Sequence, residues 1–137
     1  MVRVEHIGIA VNDLKEVNEL YAKLFDKPPY KSERVDSEYV ETSFFQIGET
    51  KIEFLEASDS ASAIAKYVDK RGPGIHHIAF EVDDIRKEME RLTKEGFQLI
   101  NEQPNRGADN KWVCFIHPKS TNGVLVELCQ DIDKDKK

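Results

Sequence analysis

Two stretches of the chain alternate strictly between apolar and polar or small positions, and each then changes to a spacing of three and four. In the first, Ile7, Ile9 and Val11 oppose His6, Gly8 and Ala10; in the second, Ile78, Phe80 and Val82 oppose His77, Ala79 and Glu81. A period of two is that of a half-buried strand. Each stretch meets a polar pair, Asn12-Asp13 or Asp83-Asp84, able to cap a helix N-terminus. Helically spaced apolar residues follow, Leu14, Val17, Leu20, Tyr21 and Leu24 in one case and Ile85, Met89 and Leu92 in the other. Gly96 marks the end of the second helix.

The two stretches are copies of one pattern. His6 falls on His77, Ile7 on Ile78, Val11 on Val82, Asp13 on Asp84 and Leu14 on Ile85, all 71 residues apart, which is the signature of an internal repeat. Strand-like segments follow each helix, EYVETSFFQIG and TKIEFLEA in the first half, FQLINE, KWVCFIH and GVLVELCQ in the second. The turns after Gly48 and through PKSTNG make the last two strands of each half a hairpin. IEFL matches VELC in register, placing Glu53 over Glu127, 74 residues apart because the second turn is longer. Between the halves, DSASAIAKYVDKRGPG predicts a short helix capped by Ser60 and stopped at Gly72-Pro73-Gly74.

The expected order is βαβββ, a short helix, then βαβββ, with the halves spanning about residues 3–57 and 74–130 of one domain, 1–137. A unit of ~65 residues buries little by itself, so the halves are expected to pair their sheets. The fold class is therefore α+β, two paired βαβββ modules forming a curved mixed sheet around a metal pocket.

The metal follows from parity. His6 lies opposite the apolar face that packs on its helix, and the repeat gives His77, not the adjacent His76, the same inward position. His76 matches Glu5 and belongs on the helix side, partly buried. On the closing strands Glu127 lies opposite Val124, Val126 and Leu128, and Glu53 opposite Ile52 and Phe54. A carboxylate in so apolar a strand is costly without a compensating positive charge, which Lys51 alone could supply to Glu53. His6, Glu53, His77 and Glu127 together suit a divalent ion of the Zn, Co, Mn or Ni type, with room for substrate or water.

Composition narrows the class. The 137 residues are 39% hydrophobic and 34% charged, an ordinary globular balance. No apolar run approaches the ~18 residues of a membrane span, and Met1-Val-Arg-Val-Glu lacks the features of a signal peptide, so the expected location is the cytoplasm. A net charge of -6 argues against nucleic acid as a partner. Cys114 and Cys129 have no metal or disulfide spacing and read as buried thiols. The tail DIDKDKK, alternating in charge, reads as a frayed, solvated end.

The segments HIGIAVNDL, TKIEFLE, IAKYVDKRGPGIHHIAFEVDDI and HPKSTNGVLVEL resemble the methylmalonyl-CoA epimerase family of the vicinal oxygen chelate superfamily, over residues 4–130. HIGIAV marks only the superfamily, whereas RGPGIHHIAFEVDDI with HPKSTNGVLVEL is more specific. The resemblance implies paired βαβββ modules, a homodimer, and metal ligands at His6, His77 and Glu127, with Glu53 where relatives place a Gln or Glu. It implies interconversion of (R)- and (S)-methylmalonyl-CoA by proton transfer through a metal-stabilised enediolate, in propionate metabolism. Glu127 and Glu53 are the candidate acid/base groups. Some members carry an acid/base glutamate on the strand before the first hairpin; here that position is Thr42, with Glu41 on the opposite face. For the polyanionic CoA thioester, Lys119 and Ser120 on the turn HPKSTNG and Arg106 and Lys111 on the polar loop PNRGADNK, residues 104–111, are the candidate contacts, while His117 shapes its turn. The competing readings are a glyoxalase I-type lactoylglutathione lyase, an extradiol dioxygenase, which usually needs a longer chain, and a metal-free binding module of the bleomycin-resistance kind, which would not need the His and Glu set.

Overall fold

The computed structural model describes residues 1–133 and falls into two compact units, His6–His76 and Met1–Glu5 with the chain from His77 onward. The first runs β1 (Arg3–Val11), α1 (Leu14–Phe25), β2 (Lys31–Val35), β3 (Val40–Ile47), β4 (Thr50–Ala57) and α2 (Ala63–Arg71), with only the start of β1 in the other unit. Its strands lie in the order β2-β3-β4-β1, β1 parallel to β4 and the rest antiparallel. The second runs β5 (Gly74–Glu81), α3 (Ile85–Lys94), β6 (Asn105–Gly107), β7 (Lys111–Ile116) and β8 (Val126–Asp131), in the order β5-β8-β7-β6 with β5 parallel to β8. The βαβββ pattern thus occurs twice with the same strand order.

Helices α1 and α3 start where their sequences said they would. Asp13 accepts from the Glu16 N–H at 3.1 Å and Asp84 from the Lys87 N–H at 3.2 Å. A second tie joins each helix to its closing strand. The Leu14 N–H donates to Glu56 Oε1 at 2.6 Å and the Ile85 N–H to Gln130 Oε1 at 2.8 Å, so the repeat extends to a side chain holding an otherwise unmatched helix N–H.

The helix faces pack as their periodicity requires, with one difference. In the first unit Leu14, Val17, Tyr21, Ala22 and Phe25 cover Ile9, Val11, Phe45 and Phe54, but Leu20 and Leu24 are 60% and 68% exposed. The buried stripe steps 14, 17, 21, 25, and positions 20 and 24 fall beyond its edge. In the second unit Ile85, Met89 and Leu92 pack on Val82, Cys114, Ile116 and Leu128 as expected.

Four local expectations change. The cap of α2 is Ser62, buried and accepting from the Ile64 N–H at 3.0 Å, rather than Ser60. FQLINE forms only an isolated bridge, Leu99 to Ile116, because Phe97 and Leu99 turn onto the α3 core; the third strand comes later, at Asn105–Gly107, inside the segment read as a loop. In the first unit the third strand is the polar KSERV, whose alternation carries too little apolar signal to be picked out. The start of the tail is ordered: Asp131 closes β8, Ile132 is buried with its N–H donating to the Asn110 carbonyl, and Asn110 Nδ2 donates to Asp133; residues 134–137 lie outside the described residues.

Gly107 is required by a close approach. A Cβ there would stand 2.8 Å from Val113 Cγ1, on a stiff β-branched side chain. Gly107→Ala is expected to lower stability by roughly 1–2 kcal/mol, overpacking outweighing the entropy gained. Denaturant titration of the variant checks this; an unchanged midpoint would show that β6 simply moves aside.

Candidate metal centre and active site

The registers fix which side chains share a face. In the first unit His6, Gly8 and Ala10 of β1 lie with Lys51, Glu53 and Leu55 of β4, with Phe44 and Thr42 of β3, and with Lys31 and Glu33 of β2. One end of this face is closed by α2, where Ala10, Val40, Leu55 and Ile64 form a cluster with Tyr67 and Val68. At the other end His6 Nε2 stands 3.3 Å from Glu53 Oε1, and both residues are buried.

The second unit repeats this pair. His77 Nε2 stands 3.4 Å from Glu127 Oε1, with both residues buried. Glu127 is flanked in the sheet by Ala79 and Phe115, and the Phe115 ring meets His77 edge-on at 5.8 Å. The surroundings are therefore apolar, and two buried carboxylates each face an imidazole.

The distances suit a shared cation. Direct N–H···O bonds cluster near ~2.9 Å. Two ligand atoms each ~2.1 Å from a divalent ion stand about 3.0–3.4 Å apart at octahedral or tetrahedral angles. A nitrogen and an oxygen donor in each unit fit the borderline divalent metals expected for this set.

His76 takes the other role. It is half-buried, its ring edge-on to Tyr67 of α2 at 4.9 Å, while the Tyr67 hydroxyl donates to the Ile75 carbonyl at 2.6 Å. The adjacent histidines thus serve different neighbourhoods.

Known proteins resemble this chain over most of its length. Residues 5–115 match the Glyoxalase/Bleomycin resistance protein/Dioxygenase superfamily. The chain is 36% identical to an ethylmalonyl-CoA/methylmalonyl-CoA epimerase of Cereibacter sphaeroides, over 93% of this chain and 97% of that one. It is 39% identical to a mitochondrial methylmalonyl-CoA epimerase of Dictyostelium discoideum, over 92% and 76% of the respective chains. The Streptomyces coelicolor methylmalonyl-CoA epimerase in complex with 2-nitronate-propionyl-CoA superposes with a TM-score of 0.92 at 30% identity, covering 96% of this chain and 98% of that one. The chain belongs to the methylmalonyl-CoA epimerase family. It is accordingly an epimerase with the vicinal oxygen chelate fold, and neither the lyase nor the metal-free reading is favoured.

The residues expected to meet CoA are dispersed. Lys119 is exposed on the turn Pro118–Ser120, which His117 shapes as expected, its Nδ1 accepting from the Lys119 N–H at 3.1 Å. Ser120 Oγ accepts from the Gln98 N–H at 2.9 Å. Arg106 pairs across the ladder with Trp112 and lies over its ring at 5.2 Å, on the sheet face opposite Glu127. Lys111 is buried, its ammonium 4.0 Å from Glu5 and 3.9 Å from Asp131. Arg106 thus faces the helix side, and Lys111 stands beside two carboxylates.

That Glu5–Lys111–Asp131 group went unnoticed in the sequence, since its members are far apart in the chain and no spacing announces them. The thiols are as expected. Cys114 and Cys129 are buried, burial raises both above the usual thiol range, and the charges of Glu127 and Glu5 push Cys129 further in the same direction.

In the family's context Thr42 is the notable position. It is buried, and its hydroxyl donates to the Glu33 carbonyl at 3.3 Å. Glu41 points to the opposite face and pairs with Arg34 at 3.3 Å.

Proposed function

We propose that this chain interconverts the (R) and (S) epimers of methylmalonyl-CoA, using one divalent ion of the Co, Mn, Ni or Zn type held by His6, Glu53, His77 and Glu127. The observation that carries the reading is the repeated buried His–Glu pair, at 3.3 Å and 3.4 Å, in a chain of this family. A divalent ion so held would draw electron density from the thioester and carboxylate oxygens and so make the C2 proton acidic.

The protein's own part is proton transfer and orientation. The C2 proton lies between two carbonyl groups, and its removal requires a base within hydrogen-bond reach. Glu127, flanked by Ala79 and Phe115, serves both as ligand and as one carrier of that proton. Glu53 is a ligand and a candidate for the second carrier. The apolar flanks of Glu127 exclude water, which strengthens every charge interaction made with the substrate.

Lys119 and Ser120 on the turn after β7 are the proposed contacts to CoA phosphate, the exposed ammonium supplying a local cation on an acidic protein. We read the working form as a cytoplasmic homodimer, one domain per chain, serving propionate metabolism, with neither nucleic acid nor membrane as partner. Among the described residues no helix is long and apolar enough to cross a membrane.

The test is incubation of one methylmalonyl-CoA epimer in deuterated water, with and without chelator. The expected result is deuterium at C2 and a mixture of epimers, both suppressed by chelation and restored by added divalent metal. No exchange by metal-replete protein would overturn the assignment.

A further inference from the structure

Helix α1 buries one face and leaves a second apolar stripe in solvent. Leu20 and Leu24, one helical turn apart and therefore neighbours, are 60% and 68% exposed, while the covered stripe runs through Leu14, Val17, Tyr21 and Phe25. The module does not require leucine at these positions. The repeat offset of 71 places Arg91 and Glu95 of α3 there, and the exposed Arg91 pairs with Glu88 of its own helix. A single exposed leucine is ordinary, whereas two side by side, where the sister helix is charged, make a surface suited to burial.

The charges around the two leucines identify what buries them. Glu16 and Glu19 precede the pair, Lys23 and Lys27 stand at the other end of α1, and all four are exposed. Turned end for end, this surface is its own complement: the acidic end of one copy meets the basic end of the other, Leu20 meets Leu24, and every contact occurs twice. That self-complementarity is what an isologous two-fold interface demands. Antiparallel packing also opposes the two helix dipoles. We infer that α1 is the contact between the two copies of the homodimer proposed above, packed antiparallel on α1 of the second copy through Leu20 and Leu24. The inference rests on that homodimer reading and supplies its interface.

The contact extends beyond the helix. Ile47 is 40% exposed and, two residues past Phe45, lies on the α1 side of β3. Lys27 Nζ donates to the Gln46 carbonyl, which holds the basic end in place and leaves the ammonium further protons for an acid of the second copy. The layer under α1 includes Ile9 and Phe54, on the strands that carry His6 and Glu53. A second copy seated on α1 therefore braces the sheet behind that pair from its outer side.

Light scattering of the full chain across a dilution series tests this. Wild-type protein should be a dimer, and Leu20→Lys combined with Leu24→Lys should raise its dissociation constant by roughly 10²-fold or more, as loss of central apolar contacts does. Reversing the acidic end, Glu16→Lys with Glu19→Lys, or the basic end, Lys23→Glu with Lys27→Glu, should each weaken self-association by about 10-fold or more, since like charges then face one another. Mixed in equal amounts, the two charge variants should recover a dimer of one chain each, because every reversed contact is again complementary. The substituted side chains are all exposed, so each variant should keep the wild-type circular dichroism spectrum. A leucine variant that dimerises as tightly as wild type would overturn the inference while leaving the homodimer reading intact. A mixture of charge variants that stays monomeric would overturn it as well, and monomeric wild-type protein would overturn both.

Discussion

Glu127→Gln is expected to reduce epimer interconversion by about 10²–10⁴-fold, because the amide keeps the shape of the carboxylate but cannot accept the C2 proton. The same change removes one anionic ligand beside His77, 3.4 Å away, so bound metal should also fall in an elemental measurement after dialysis. Both losses have one origin, the carboxylate charge, and Glu127 is surrounded by Ala79 and Phe115, neither of which can substitute for it. Substrate-saturated NMR of the epimer ratio reads the rate. A variant with wild-type turnover would remove Glu127 from both roles and with it the central residue of the proposed mechanism.

The second large effect separates the adjacent histidines. His77→Ala should weaken metal binding by more than the ~10–100-fold typical of losing an outer partner, since it removes a direct nitrogen ligand. His76→Ala should leave metal stoichiometry unchanged and cost only the packing of its ring against Tyr67, 4.9 Å away. Cobalt-loaded protein gives a visible spectrum sensitive to the ligand set, so titration of each variant with cobalt distinguishes them. If His76→Ala loses the metal and His77→Ala keeps it, the inward face of β5 has been assigned the wrong way round.

Much of this site was legible because strand parity is strict. Once Ile7, Ile9 and Val11 are read as the helix-facing side, His6 must face the other way, and the repeat carries the same choice to His77. Glu53 and Glu127 followed from the same alternation. Each proved to be buried beside the histidine of its own half. The Asp13 and Asp84 caps were readable for a similar reason, since a cap is a local device spanning three residues.

The misreadings share a cause as well. KSERV and Asn105–Gly107 are strands by virtue of the neighbours they pair with, β3 and β7, and their own residues give almost no apolar alternation. Leu20 and Leu24 fit a helical stripe in one dimension, yet they lie outside the arc that the sheet can cover. Arg106 and Lys111 looked alike as loop cations. Pairing with β7 turned Arg106 over Trp112, and burial set Lys111 between Glu5 and Asp131.

The sequence by itself therefore determined the repeat, the strand faces, the starts of α1 and α3 and the identity of the His and Glu pairs, because each depends on periodicity or on neighbours a few residues away. Only the tertiary structure decided which polar segments become edge strands, which cations are spent on internal carboxylates, and that Glu33 shares a face with Glu53. Those outcomes depend on register between segments distant in the chain, and a ladder's register is set by packing that no single stretch of sequence contains.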